Sequence, residues 1–241
     1  MSGGSGGLRR FVGDPGRAAG SPTPRKPAQP DPPPTLPGAP DTVATPGAPP
    51  EAATEKCEMC GIPLDERHGH VVDVEHRSLM CACRACFLLF THDNAGGRFR
   101  AVPDRYLYDP DRPLSAAEWE SLGIPVGAAF FLRGEHGVAA FYPSPAGATE
   151  CLLDLQAWAG LADGHPLLAA AAPEVEAILV RNDGDGGGIE CFLVPIDACY
   201  ELVGTVRMNW HGFDGGPEAR ERIGEFFARV RVRARPFAAE G

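Results

Sequence analysis

Two closely spaced cysteine pairs constrain the fold of this chain more than any other feature. Cys57 and Cys60 form one C-x2-C pair, Cys83 and Cys86 form a second, and 22 residues lie between the pairs. Each pair bends the backbone so that two sulfur atoms face one ion, and two pairs complete a tetrahedron of thiolates. Gly61 follows the first pair and permits the tight turn of a zinc knuckle. We therefore predict that these four cysteines are the ligands of a structural metal site.

The residues between the two pairs have the pattern of a β-hairpin. Residues 70–74 predict a strand, 75–77 a turn and 78–81 the return strand, after which the apolar run 85–90 predicts a short helix. A knuckle, a hairpin and a helix whose first turn supplies two more ligands is the layout of a treble-clef zinc finger. The Cys83–Phe87 run resembles the second ligand pair of that class, a resemblance that concerns architecture only.

A fifth thiol and two histidines leave the ligand set open. Cys81 either replaces Cys83 as a ligand, lies in the second shell of the site, or marks a second or exchangeable metal together with the H-x-H pair His68 and His70. Closed four-thiolate sites dominate structural zinc, which favours the first two interpretations. His70 is retained as an alternative ligand or second-shell group, although histidines of this kind are typical of a hairpin surface.

The metal that this pattern favours is zinc, with iron as the alternative. Four thiolates also suit a rubredoxin-type iron centre. Rubredoxin knuckles carry glycine after the second cysteine of each pair, and here Gly61 meets that condition whereas Phe87 stands at the other place. A thiolate-only site also has no open coordination position, which argues against a hydrolytic role for the metal.

Glycine and proline are concentrated at the N-terminus. The chain of 241 residues contains 30 Gly and 25 Pro, and 22 of its first 50 positions are one or the other. Such a segment buries too little apolar surface to offset the entropy lost on ordering. We therefore predict three parts: a disordered tail at residues 1–52, a cysteine module at residues 53–98 and a larger domain at residues 99–241.

Charge and hydropathy limit the partners and the compartment. Residues 51–241 carry 17 basic and 29 acidic side chains, a net charge of −12, which argues against binding to a phosphate backbone. No apolar run approaches the roughly 18 residues that span a bilayer, and we see no export signal. These features predict a cytoplasmic protein without a membrane partner, in which the eight cysteines are thiols or metal ligands.

The larger domain has the pattern of an α+β fold. Ser115 and Glu118 form a capping box, and further helices are predicted to begin at Asp154, Asp197 and Pro217. Two hairpins are predicted between these helices, at residues 128–132 with 138–142 and 175–180 with 189–194. We expect one antiparallel sheet covered by helices, with Cys151, Cys191 and Cys199 as packing residues.

The chain resembles an uncharacterised family of bacterial proteins encoded beside high-affinity [NiFe] hydrogenases. The resemblance extends from residue 57 to about residue 237 and rests on six runs: Cys57–Gly61, His68–His70, Leu79–Phe90, Tyr142–Glu150, Phe192–Gly204 and Trp210–Gly216. It implies a hydrogenase neighbourhood and no established activity.

The leading functional hypothesis is a non-catalytic accessory or assembly protein. Its structural metal would stabilise a module that docks on a hydrogenase subunit or a maturation factor. The alternative is an iron-binding, rubredoxin-like redox protein that serves the hydrogenase. A further alternative is a zinc finger that binds nucleic acid, against which the acidic charge of residues 51–241 weighs.

Overall fold

The computed structural model describes residues 55–91, 97–134, 137–184, 188–212 and 215–238. The predicted tail at residues 1–52 lies outside these stretches, as do the tips of both predicted hairpins of the larger domain. The division at residue 98 stays a prediction.

The hairpin of the cysteine module belongs to a small antiparallel sheet, whose third strand begins one residue beyond the predicted boundary at residue 98. Strand β1 (Gly69–Asp73) pairs with β2 (Ser78–Ala82) on one side and with β3 (Phe99–Ala101) on the other. Helix α1 (Arg84–Leu88) follows β2 directly. The hairpin and the helix predicted between and after the cysteine pairs are therefore present, although the helix ends two residues earlier than predicted.

A seven-stranded sheet forms the centre of the larger domain. Its strands are, in chain order, β4 (Leu107–Tyr108), β5 (Ala128–Gly134), β6 (Gly137–Ser144), β7 (Gly147–Cys151), β8 (Glu176–Asn182), β9 (Ile189–Pro195) and β10 (Arg235–Pro236). They lie side by side in the order β10-β4-β9-β8-β5-β6-β7, and every neighbouring pair is antiparallel except the parallel pair β10 and β4. The two predicted hairpins, β5–β6 and β8–β9, are confirmed and pair with each other through β5 and β8.

In the part of the chain that the structure describes, five further helices accompany this sheet: α2 (Ala116–Ser121), α3 (Leu155–Gly164), α4 (Pro166–Ala169), α5 (Ile196–Asn209) and α6 (Gly216–Arg233). Their starts follow local chemistry. The Ser115–Glu118 capping box is formed in both directions, and the Asp154 carboxylate accepts from two backbone N–H groups at the start of α3.

Central strand β8 contributes to hydrophobic clusters on both faces of the sheet. Ala177 and Leu179 belong to the cluster that contains α5 and α6, whereas Ile178 and Val180 belong to the cluster that contains α2, α3 and α4. Successive side chains of a strand point to opposite faces. The sheet therefore has helices on both faces, which explains why its central strands read as continuous apolar runs.

One predicted helix start is wrong. Helix α5 begins after Pro195, so Asp197 lies in its first turn and is not its N-cap. The Asp197 carboxylate accepts a hydrogen bond from His70 of β1 instead, across 2.8 Å. The carboxylate is thus engaged in a long-range contact that the local sequence does not reveal.

The structure confirms the predicted α+β class: a small cysteine-bearing sheet followed by an antiparallel sheet with helices. In the described stretches, no helix has the length and apolar character needed to cross a bilayer.

Candidate metal centre

The first cysteine pair lies in a tight knuckle. The Gly61 N–H donates to the Cys57 carbonyl across 2.7 Å, and the Cys57 N–H donates to the Ile62 carbonyl across 2.9 Å. Gly61 has a φ of 77°, in the left-handed region that side chains disfavour. The tight turn that directs both sulfur atoms to the same side therefore requires the glycine after Cys60.

The second cysteine pair lies at the start of α1. Cys83 is the N-cap of this helix, and its sulfur accepts from the Cys86 N–H at 3.5 Å. Phe87 packs beside it against β1, so closely that a Cβ at Gly69 would stand 2.6 Å from the Phe87 ring. The absence of a side chain at Gly69 therefore allows the helix to approach the hairpin.

The two pairs meet in one group, which we call the four-cysteine cluster: Cys57, Cys60, Cys83 and Cys86. All four sulfur atoms lie within 4.8 Å of one another, and Cys60 Sγ lies 3.7 Å from Cys83 Sγ. Zinc–sulfur bonds of about 2.3 Å in a tetrahedron require sulfur atoms about 3.8 Å apart. Disulfide sulfurs would be about 2.05 Å apart, and all four cysteines are free. The donor set and spacing therefore fit a metal ion.

The thiols of the four-cysteine cluster differ in pKa. Burial would raise the pKa of Cys57, but backbone N–H groups of Cys83, Met59 and Cys60 outweigh burial and lower that pKa to about 6. Hydrogen bonds with the Cys83 and Cys60 side chains raise the pKa of Cys86 to about 12. Sulfurs this close cannot all lose their protons unless a positive ion balances the charge.

A second group lies beside the first, and we call it the His–Cys cluster: His68, His70 and Cys81. One donor atom of each residue lies within 4.8 Å of the other two. His70 and Cys81 stand directly opposite each other in the β1–β2 register. The structure thus groups Cys81 with the histidines, while Cys83 stands with the other three thiols.

Both histidines are less exposed than a hairpin surface would make them. The His68 side chain is only 9% exposed and that of His70 is 24% exposed. Sequence reasoning missed their partners, the Asp65 carbonyl and the Asp197 carboxylate. The sequence signal that was present is the H-x-H spacing, although His68 itself precedes β1, which begins at Gly69.

The knuckle is tied to strand β2 between the two clusters. The Cys81 N–H donates to Glu58 Oε2 at 2.5 Å, and the Glu58 N–H donates to the Cys81 carbonyl at 2.9 Å. Burial, together with the nearby carboxylates of Glu55 and Glu58, raises the pKa of the Cys81 thiol. Cys81 therefore holds its proton at neutral pH when it has no cation beside it.

A single family model extends over both the cysteine module and the larger domain. A family model matches residues 56–234, about three quarters of the chain. The chain belongs to DUF5947, a family of unknown function. No curated protein and no solved structure matches the chain. The DUF5947 match begins one residue before Cys57 and thus contains both clusters, along with Asp197.

The remaining cysteines of this DUF5947 chain are packing residues. Cys199 is 1% exposed, and burial raises its pKa well above the usual range. Burial also raises the pKa of Cys191 to about 12, and Cys151 donates to the Ala140 carbonyl. Protonated thiols are poor nucleophiles. The full burial of Cys199 and the partial burial of Cys151 and Cys191 agree with the packing role expected from the sequence.

A cleft of about 490 Å³ lies between the hairpin and the large sheet. Its apolar lining includes Leu79 of β2, Phe130 and Phe141 of the large sheet and Tyr200 of α5. No member of either cluster lines it. The cleft therefore offers packing surface and not the chemistry of the two clusters.

Proposed function

We propose that this chain is a non-catalytic accessory protein that holds one structural zinc in the four-cysteine cluster and docks on a component of a [NiFe] hydrogenase system. The observation that carries the proposal is the tetrahedral spacing of the cluster, with 3.7 Å between Cys60 Sγ and Cys83 Sγ. Residues 57–237 supply the hydrogenase link through their resemblance to proteins encoded beside such enzymes.

A structural role for the metal is supported by the small core of the cysteine module. Its fully buried residues are two ligands, Cys57 and Cys83, with Val71 and Ala82, and the six further side chains that pack against them are only partly buried. A core of this size stabilises a fold weakly, and a metal that binds only the folded state adds its binding free energy to folding. Four thiolates also fill the coordination sphere of zinc and leave no position for a substrate.

Docking is supported by apolar side chains exposed on the segments that carry the ligands. Ile62 follows the knuckle and is 49% exposed, while Leu88 and Leu89 at the end of α1 are 45% and 67% exposed. Exposed apolar groups on a rigid, metal-held frame are typical of an interaction surface. The cytoplasm is the compartment we propose, because none of the eight cysteines forms a disulfide and a reducing environment keeps cysteines in that state.

The docking proposal is tested in a native host that encodes both this chain and the hydrogenase. We expect deletion of the gene to lower hydrogenase activity or subunit assembly, and a tagged chain to co-purify with a hydrogenase subunit or maturation factor. Leu89→Asp should abolish co-purification, whereas Leu152→Asp, at a 99% exposed position outside the module, should not. Unchanged hydrogenase activity and assembly after deletion would refute the proposed role.

An iron-binding redox protein is the second candidate, because a four-thiolate donor set suits iron as well as zinc. The second cysteine pair begins a helix and does not form a glycine knuckle, which favours zinc. Metal content decides between the two candidates. Stoichiometric iron with visible absorbance would support the redox protein, and a colourless protein that contains zinc would exclude it.

A further inference from the structure

The His–Cys cluster (His68, His70 and Cys81) brings two kinds of metal donor together, imidazole nitrogen and thiol sulfur. His68 and His70 are two residues apart with their ring centroids separated by 5.0 Å, and Cys81 stands opposite His70. One donor atom of each lies within 4.8 Å of the others. This arrangement gathers two imidazoles and one thiol around a single point.

Both imidazoles hold a proton on the nitrogen that faces the protein. His68 Nδ1 lies 3.0 Å from the Asp65 carbonyl, and His70 Nδ1 lies 2.8 Å from Asp197 Oδ2. Both partners can only accept a hydrogen bond, so each Nδ1 donates. In the neutral ring, Nε2 then carries a free electron pair, which is the form that binds a metal.

His68 Nε2 lacks a hydrogen-bond partner among the described residues although it is buried. The nearest carboxylate, on Glu55, is 3.8 Å away, which is too far for a hydrogen bond. A buried polar atom without a partner is rare in folded proteins and calls for an unseen ligand or water. The His68 side chain is only 9% exposed and belongs to the His–Cys cluster. A metal ion bound by Nε2 would give this atom a partner.

The His70–Asp197 pair has the form of a second-shell contact to a metal ligand. Metal-binding histidines commonly donate their other N–H to a carboxylate, which fixes the ring and strengthens the bond to the ion. Asp197 reaches His70 from helix α5, outside the hairpin. It is therefore a positioning residue, and the ion itself would contact only the His–Cys cluster.

We propose that His68, His70 and Cys81 bind a second metal ion, a first-row divalent cation of the Zn²⁺ class, with a fourth coordination position open to water or an exogenous ligand. Two nitrogens and one sulfur suit Zn²⁺, Co²⁺ and Ni²⁺, and they do not suit the oxygen-seeking Mg²⁺ and Ca²⁺. On binding, the Cys81 thiol loses its proton to solvent and its sulfur bonds to the ion. This site stands independently of the structural role proposed for the four-cysteine cluster.

The test begins with full-length protein, loaded anaerobically with one equivalent of Zn²⁺, which is then titrated with Co²⁺. We expect a second equivalent to bind with a cobalt–thiolate absorption band. Zn²⁺ should displace this cobalt, and Mg²⁺ or Ca²⁺ should not. Failure to bind a second equivalent, or displacement by Mg²⁺, would overturn the proposal.

Variants locate the second ion. Cys81→Ser should remove the thiolate band, and His68→Gln should weaken binding of the second equivalent at least 10-fold, while each variant retains the first zinc. The matched controls are His76→Gln, at a 63% exposed histidine of the same hairpin, and Cys151→Ser, and both should bind two equivalents. Retained zinc in the first site shows that each variant is folded. An unchanged second equivalent in Cys81→Ser or His68→Gln would refute the assignment.

Asp197→Asn tests the positioning role separately. The substitution keeps the size of the side chain and removes its charge. We expect 10- to 100-fold weaker Co²⁺ binding, the range typical of second-shell substitutions, with a shifted absorption band. Equal affinity and an unchanged spectrum would remove Asp197 from the site.

Discussion

His70 of strand β1 and Asp197 of helix α5 form a hydrogen bond of 2.8 Å although 127 residues separate them in the chain. Their side chains are 24% and 29% exposed. One residue carries a candidate metal donor, and the other lies in the helical layer of the larger domain. The pair thus fixes the hairpin against α5.

Removal of this carboxylate should loosen the hairpin. For Asp197→Ala we expect a loss of about 1 kcal/mol in the free energy of unfolding, because a hydrogen bond to a charged group is lost. The effect stays small because Asp197 Oδ1 is buried without a partner, and the alanine removes that cost. Urea unfolding followed by tryptophan fluorescence measures the change. The control is Glu201→Ala on the same helix, whose 51% exposed carboxylate pairs with Arg229 and should contribute less than about 0.5 kcal/mol. Equal effects of the two substitutions would contradict this account.

Metal removal should unfold the cysteine module before the larger domain. Chelation, or the substitution Cys60→Ser, should raise amide hydrogen exchange in β1, β2 and α1 at least about tenfold, because the module has few buried apolar residues of its own. Strands β8 and β9 should keep their protection, since both lie within the large sheet. Cys151→Ser is the matched cysteine control. Unchanged exchange after metal removal would show that the module does not depend on an ion.

The buried carboxylate of Glu176 should make Arg105 important for stability. Glu176 is completely buried and accepts two hydrogen bonds from Arg105, at 2.7 and 2.6 Å, and one from the Ala172 N–H. Arg105→Leu leaves the buried Glu176 carboxylate without its charged partner. We expect the free energy of unfolding to fall by about 3 kcal/mol, at the low end of the usual range for a broken buried ion pair, because Arg105 is 43% exposed. Chemical denaturation measures this change in the free energy of unfolding. The exposed pair Arg222 and Glu225 gives the control, and Arg222→Leu should cost less than about 0.5 kcal/mol.

Glu118 should contribute to the acid limb of the stability curve. Hydrogen bonds from Ser115 and His165 lower the pKa of this carboxyl from 4.5 to about 2. A pKa depressed in the folded state gives stability that is complete above pH 4.5 and is lost as the pH falls towards 2. Since the side chain is 38% exposed, we expect a contribution on the order of 1 kcal/mol.

The free energy of unfolding should be measured at a series of pH values between about pH 6 and about pH 2.5. Wild-type protein should lose more stability across this range than Glu118→Gln. Glu120→Gln, at an exposed carboxylate of the same helix, should follow the wild type. A parallel pH dependence of the wild type and Glu118→Gln would contradict the prediction.

The parts of the fold that could be predicted are those with local causes. The glycine after Cys60, the Ser115–Glu118 capping box and the apolar runs of β8 and β9 each act over a few residues, and each was predicted correctly. The C-x2-C spacing also predicted the four-cysteine grouping, but it left Cys81 open as a replacement for Cys83, and only the structure groups Cys83 with the other three thiols.

The rest depends on contacts between distant segments. Strands β4 and β10 have two residues each, too few to show any alternation. Strand β4 pairs with the edge of β9, and β10 pairs in turn with β4. Asp197 has the sequence context of a helix cap, and only the approach of His70 gives its carboxylate another partner. His68 resembles a surface residue in sequence, yet its side chain is only 9% exposed in the structure.

Metal content of the Cys81→Ser protein, purified anaerobically under reducing conditions, tests the central claim most directly. This variant keeps the four-cysteine cluster and removes the thiol of the His–Cys cluster. We expect one zinc per chain and no visible absorbance, with the zinc lost when Cys60 and Cys83 are also replaced by serine. A protein without metal, or a zinc that remains after those two replacements, would contradict a metal centre built on Cys57, Cys60, Cys83 and Cys86.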